Sequence, residues 1–175
     1  MLTPAAASAL VLFWACAVAW MDLRERRIPN VLSLGGWLVG GAHLVLTGHS
    51  PLGATASASC LAAGFALLVT LPGYMARLLG AGDVKFLVAL GLLTTWPLTL
   101  HTFAIGALLG ATMGWVTHNR TLVLALLPPP WRTPGSWLAR WGTGEATQAK
   151  RHLPFGACLT AGLAAALWLN GLPRT

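Results

Sequence analysis

Four long stretches of this 175-residue chain contain no Asp, Glu, Lys or Arg: residues 1–21, 30–76, 86–119 and 152–173. A helix needs roughly 20 apolar residues to cross the hydrocarbon core of a bilayer. The first and last stretches hold one crossing each and the two middle ones hold two each. The expected fold is therefore all-α, a polytopic membrane protein with six transmembrane helices. The 30–76 stretch divides at Thr47-Gly48-His49-Ser50-Pro51 and the 86–119 stretch at Thr94-Thr95-Trp96-Pro97, both turn-like clusters that punctuate helices. Composition points the same way: 56% of the residues are hydrophobic and 9% charged, with a mean hydropathy of +0.70. Soluble domains carry about 25% charged residues, so a water-soluble fold is disfavoured.

Lys and Arg concentrate in cytoplasmic loops, and here ten of the eleven basic residues fall in alternate loops. Arg24, Arg26 and Arg27 follow the first span. Arg77 and Lys85 lie between the third and fourth, and Arg120, Arg132, Arg140, Lys150 and Arg151 between the fifth and sixth; only Arg174 falls opposite. Both termini are thus expected on the non-cytoplasmic side. Topology accounts for the net charge of +7, and nucleic-acid binding is not supported. Ala17-Val18-Ala19 has the look of a signal cleavage site, but no basic segment precedes the apolar run, so a retained span is expected.

One domain, residues 1–175, is expected, with a single sizeable loop at about 118–152. Residues 121–127 are apolar but too short to span, and Trp131, Trp137 and Trp141 suit the headgroup region. Pro128, Pro129, Pro130 and Pro134 interrupt any helix there. Cys16, Cys60 and Cys158 are isolated within spans and read as packing residues. His43, His49, His101, His118 and His152 show no paired metal-ligand spacing, so no metal and no cofactor are expected. Ser57 and Ser59 sit in a small-residue run that suits close helix packing better than a serine nucleophile.

The chain has four acidic residues, Asp22, Glu25, Asp83 and Glu145. Asp22 directly follows the first apolar stretch and Asp83 directly precedes the fourth span, which sets both at one membrane level. Ionisable groups at such positions face protein or water and mark function by default. If the two helices pack together, repulsion and partial desolvation would split the proton affinities of the pair. One carboxylate would then activate water while the other donates a proton to a carbonyl. The alternative is that Asp83 caps its helix and Asp22 is a boundary charge, both common uses of Asp.

Context favours the first reading. Asp83 lies in Gly80-Ala81-Gly82-Asp83-Val84-Lys85, where two glycines permit close backbone approach. This segment resembles the GxGD-x-K motif of type IV prepilin peptidases, which are aspartyl peptidases of the membrane. Asp22 followed by Arg26, Ile28, Pro29 and Asn30 resembles the family's first motif, and Leu153-Pro154-Phe155-Gly156 resembles the opening of its final helix. The compact size is similar to the short branch that serves Tad/Flp pili, the TadV or CpaA peptidases. The resemblance implies cleavage of a prepilin or pseudopilin leader at the cytoplasmic face of the bacterial inner membrane, with Asp22 and Asp83 as the aspartyl pair. Longer members carry a cytoplasmic Cys-x-x-Cys insertion and methylate the new N-terminus; the first loop here is only about residues 23–29, so neither zinc nor methyl transfer is implied.

Other motif residues have structural readings. Pro29 and Pro154 suit the first turn of a helix and Asn30 the cap of the second span. Lys85 points away from Asp83 on a regular helix and reads as a topology anchor. Two other functions stay open: an Asp-dependent transporter or proton-conducting protein, and a non-catalytic secretion-system subunit that uses the basic loop as a contact surface.

Overall fold

A computed structural model describes residues 3–126 and 154–170. Within them every regular element is an α-helix: α1 (Pro4–Glu25), α2 (Asn30–Thr47), α3 (Ala56–Met75), α4 (Ala81–Leu93), α5 (Trp96–His118), α6 (Arg120–Leu126) and α7 (Phe155–Leu169). The expected all-α class is observed. The loop expected at 118–152 begins with α6. Its Trp131, Trp137, Trp141 and four prolines lie outside the described residues, as does Leu153.

Local chemistry sets the helix ends. The Thr3 hydroxyl accepts the Ala6 N–H at 3.3 Å with Pro4 in the first turn, and Thr55 does the same for Ala58 at 3.4 Å; both follow the preferences of helix N-termini. α2 stops at Gly48, whose left-handed backbone (φ 75°) lets its N–H bond the Leu44 carbonyl at 2.9 Å. The turn to α3 closes on an isolated bridge between His49 and Thr55. α4 ends at Leu93 and α5 starts at Trp96, so both divisions read from the sequence coincide with breaks between helices.

Four helices, α1, α2, α3 and α5, are long and apolar enough to cross a membrane. α4 and α7, at the positions of the expected fourth and sixth spans, have 13 and 15 residues. They rise only about 20–22 Å at 1.5 Å per residue, against a hydrocarbon core of about 30 Å. They are also the helices most enclosed by the others. α2 buries one stripe, Ser33, Gly36, Gly40 and Leu44, whereas α4 is buried from Asp83 to Leu93 on nearly all sides. Phe86, Leu87, Leu90, Leu159 and Leu163 form the centre of the core.

Glycine brings the central helices together. A Cβ on Gly91 of α4 would lie 2.6 Å from the Ala63 amide nitrogen of α3, and one on Gly162 of α7 would lie 2.5 Å from the Thr102 carbonyl oxygen of α5. Lipid-embedded helices associate through such small-residue contacts because no hydrophobic effect drives them together. α4 packs chiefly between α2 and α3, and α7 between α1 and α5. The two short helices start at the same end of the bundle, and the acidic residues gather there.

Candidate functional site

Asp22 lies in the last turn of α1, 5% exposed. Its Oδ2 accepts the backbone N–H of Ala157 at 3.1 Å. Ala157 belongs to the first turn of α7, where amides have no partner within their own helix and the helix dipole is positive. The two helices are tied again higher up: the Thr160 hydroxyl is 3.0 Å from the Ala15 carbonyl oxygen and 2.9 Å from that of Gly156. The register of α1 on α7 that puts Asp22 against this helix start is therefore fixed at two points.

Asp83 occupies the third position of α4 and is 9% exposed. Its Oδ2 accepts the Gly80 N–H at 3.0 Å, the reach-back half of a capping box. The structural use of Asp83 foreseen from the sequence thus exists, though the side chain caps from inside the helix and not from the N-cap position, which Gly80 holds. The Gly156 backbone N–H of α7 is near enough to act electrostatically on both carboxylates, and Asp22 is near enough for its charge to act on Asp83. Two acidic side chains from separate helices thus come together beside the start of a third.

Glycines make the convergence possible. A Cβ on Gly156 would stand 3.1 Å from the Asp22 Oδ2 and 3.0 Å from the Cδ1 of Ile28; a Cβ on Gly82 would stand 2.8 Å from the Cβ of Ile28. Ile28 therefore sits between the starts of α4 and α7. It arrives there through Arg26, whose left-handed backbone (φ 55°) ends α1 with an N–H bond of 2.8 Å to the Asp22 carbonyl. That conformation is unusual outside glycine and costs about 1 kcal/mol; here it turns the chain sharply beneath the carboxylates.

The remaining motif residues support the same end of the bundle. Pro29 is the N-cap of α2 and makes no side-chain cap bond, and Asn30 is the first residue within the helix. Asn30 does not cap, contrary to expectation, because Pro29 holds that position. Its Oδ1 instead accepts the Lys85 ammonium at 2.9 Å, while the Lys85 carbonyl accepts the Trp37 indole N–H at 2.8 Å. Lys85 thus links α4 to α2. Pro154 is the N-cap of α7.

Beside the carboxylates runs an apolar groove of about 460 Å³, lined among others by Leu23, Met113, Pro154, Ala157 and Cys158. Cys158 is buried close to both aspartates; Cys16 and Cys60 are exposed and elsewhere. His43 and His49 serve the turn after α2, where the His43 ring nitrogen lies 2.8 Å from the His49 carbonyl oxygen. No cluster of three or more His, Cys, Asp or Glu suited to a metal occurs among the described residues. Two buried carboxylates meeting at one point beside an apolar groove can act as base and acid toward a water and a bound amide.

Sequence reasoning singled out both aspartates and their glycines. It placed Ile28 in the first motif without assigning it a task, and it did not single out the Ala157 amide. Ile28 had a usable signal, since it directly precedes Pro29 in a loop too short to be idle; a backbone amide more than a hundred residues from Asp22 carries none. In comparisons with known proteins, the model described as the type IV leader peptidase family matches residues 9–115, a range that includes both aspartates. No curated protein and no solved structure matches the chain.

Proposed function

Because the chain belongs to the type IV leader peptidase family, we propose that it is a prepilin leader peptidase with Asp22 and Asp83 as its catalytic pair. Several long apolar helices and the family together make it a membrane protein. The observation that carries the catalytic reading is the burial of the two carboxylates together beside the start of α7, each held by a backbone amide and within electrostatic reach of the other. In this reading one carboxylate is ionised and takes a proton from a bound water as the oxygen attacks the scissile carbonyl carbon. The other donates its proton to the carbonyl oxygen, and collapse of the tetrahedral intermediate breaks the C–N bond with proton return to the leaving amine. The groove along Leu23, Pro154 and Ala157 is where an apolar segment of the substrate would lie, holding the scissile bond at the pair by proximity.

The finer identity follows the motifs. Three family-like segments and the short first loop favour the Tad/Flp branch, with a prepilin or pseudopilin as substrate. The distribution of Lys and Arg favours six crossings, with both termini outside the cytoplasm and the aspartates at the cytoplasmic face of the inner membrane. α4 and α7 can serve as crossings despite their length, because backbone enclosed by other helices need not match the lipid thickness.

The test is co-expression of the full chain with candidate prepilins, followed by mass measurement of the pilin N-terminus. A mature N-terminus formed only in the presence of this chain supports the reading. Asp-dependent ion flux in liposomes, with no candidate processed, would transfer the site to a transport function.

A further inference from the structure

We infer that Ile28 is a positioning residue, a rigid spacer between α4 and α7 that sets how far apart the two carboxylates stand. The inference rests on the peptidase reading only for its consequence in catalysis. Its geometric part stands alone.

Ile28 contacts two residues at the site that lack a side chain, Gly82 and Gly156. Its Cβ lies 2.8 Å from the position a Cβ would take on Gly82, directly before Asp83, and its Cδ1 lies 3.0 Å from that position on Gly156, directly before Ala157, whose N–H bonds the Asp22 carboxylate. The body of one side chain thus fills the space between the first turns of two helices. Three features make it stiff. A β-branched residue is restricted at χ1. Pro29 follows it and confines its backbone to extended conformations. Upstream, Arg26 is fixed in the left-handed region by its bond to the Asp22 carbonyl. Ile28 is half-buried and packs against the central core cluster, so it cannot swing aside without disturbing α4 or α7.

Removing the spacer lets the two helix starts move together, and the carboxylates with them. A displacement of about 1 Å at a reacting centre can cost about 100-fold in rate. The loss would fall on the chemical step, because Ile28 does not line the groove beside the pair.

The experiment uses the full chain in lipid nanodiscs with Cys16, Cys60 and Cys158 replaced by alanine and spin labels at Leu23→Cys and Ala81→Cys, both exposed positions. Ile28→Ala is expected to shift the distance distribution between the labels, and Ile28→Val, which keeps the β-branch, to leave it in place. On a prepilin that the parent chain cleaves, Ile28→Ala is expected to lower kcat by about 10- to 100-fold with KM changed less than about 2-fold, and Ile28→Val to recover most of the loss. Should Ile28→Ala fail to insert, Ile28→Leu moves the branch off Cβ at constant volume and is expected to shift the same distance. An unchanged distance in the inserted variant overturns the proposal, whatever the activity. A shifted distance in a chain that cleaves no prepilin supports the spacer and counts against the peptidase reading.

Discussion

At the scale of single residues, the site depends on groups that occupy almost no volume. Gly156 is the clearest case, since a methyl there would meet the Asp22 carboxylate and Ile28 together. Gly156→Ala is expected to reduce leader cleavage by at least about 10-fold while membrane insertion is kept, as checked by N-terminal mass and by fractionation. The Lys85–Asn30 hydrogen bond makes a separate claim. Lys85→Met and Asn30→Leu are expected to be non-additive in thermal stability, with a coupling of about 0.5 kcal/mol or more; strict additivity would return Lys85 to a topology role only. Asp22 and Asp83 were legible in the sequence because acidic residues are so few and their surroundings so particular. Their partners were not, for a physical reason: Ala157 and Gly156 act through backbone amides, which every residue but proline has. Asn30 misled because residue type favours a cap, while the preceding proline decides which position it occupies.

At the scale of helices, the all-α class and the breaks after α2 and after α4 were readable from uncharged runs and turn clusters, since both follow from solvation of the backbone in lipid. The lengths of α4 and α7 were not. Apolar composition reports that a segment avoids water, and it cannot tell enclosure by protein from enclosure by lipid. The distinction has measurable consequences. Gly91→Val would drive a side chain into the backbone of α3 at Ala63 and is expected to destabilise the fold by about 1–3 kcal/mol in detergent unfolding. Gly64→Ala, on α3 with nothing within 4 Å of the new methyl, is expected to be neutral or stabilising by up to about 1 kcal/mol. Equal effects at the two positions would contradict the packing described for α3 and α4.

At the scale of the whole molecule, the two short helices begin at one end of the bundle and bring three distant parts of the chain to one point. The basic residues Arg24, Arg26, Arg27, Arg77 and Lys85 belong to that same end, which under the proposed topology is the cytoplasmic one. In cells expressing a cysteine-free parent chain, Gly53→Cys is expected to react with a membrane-impermeant maleimide from outside, and Ala76→Cys only after permeabilisation; the reverse pattern would invert the topology. The central claim is that Asp22 and Asp83 act as one catalytic pair, and single amide substitutions test it most directly. Asp22→Asn and Asp83→Asn keep the shape of each side chain while removing its capacity to ionise. With a prepilin that the parent chain processes, each single variant is expected to insert normally and to lose cleavage by at least about 1,000-fold, with the double variant no worse than either one, as groups that act as a unit behave. Mature pilin N-termini from either variant at more than a small fraction of the parent level would contradict the account.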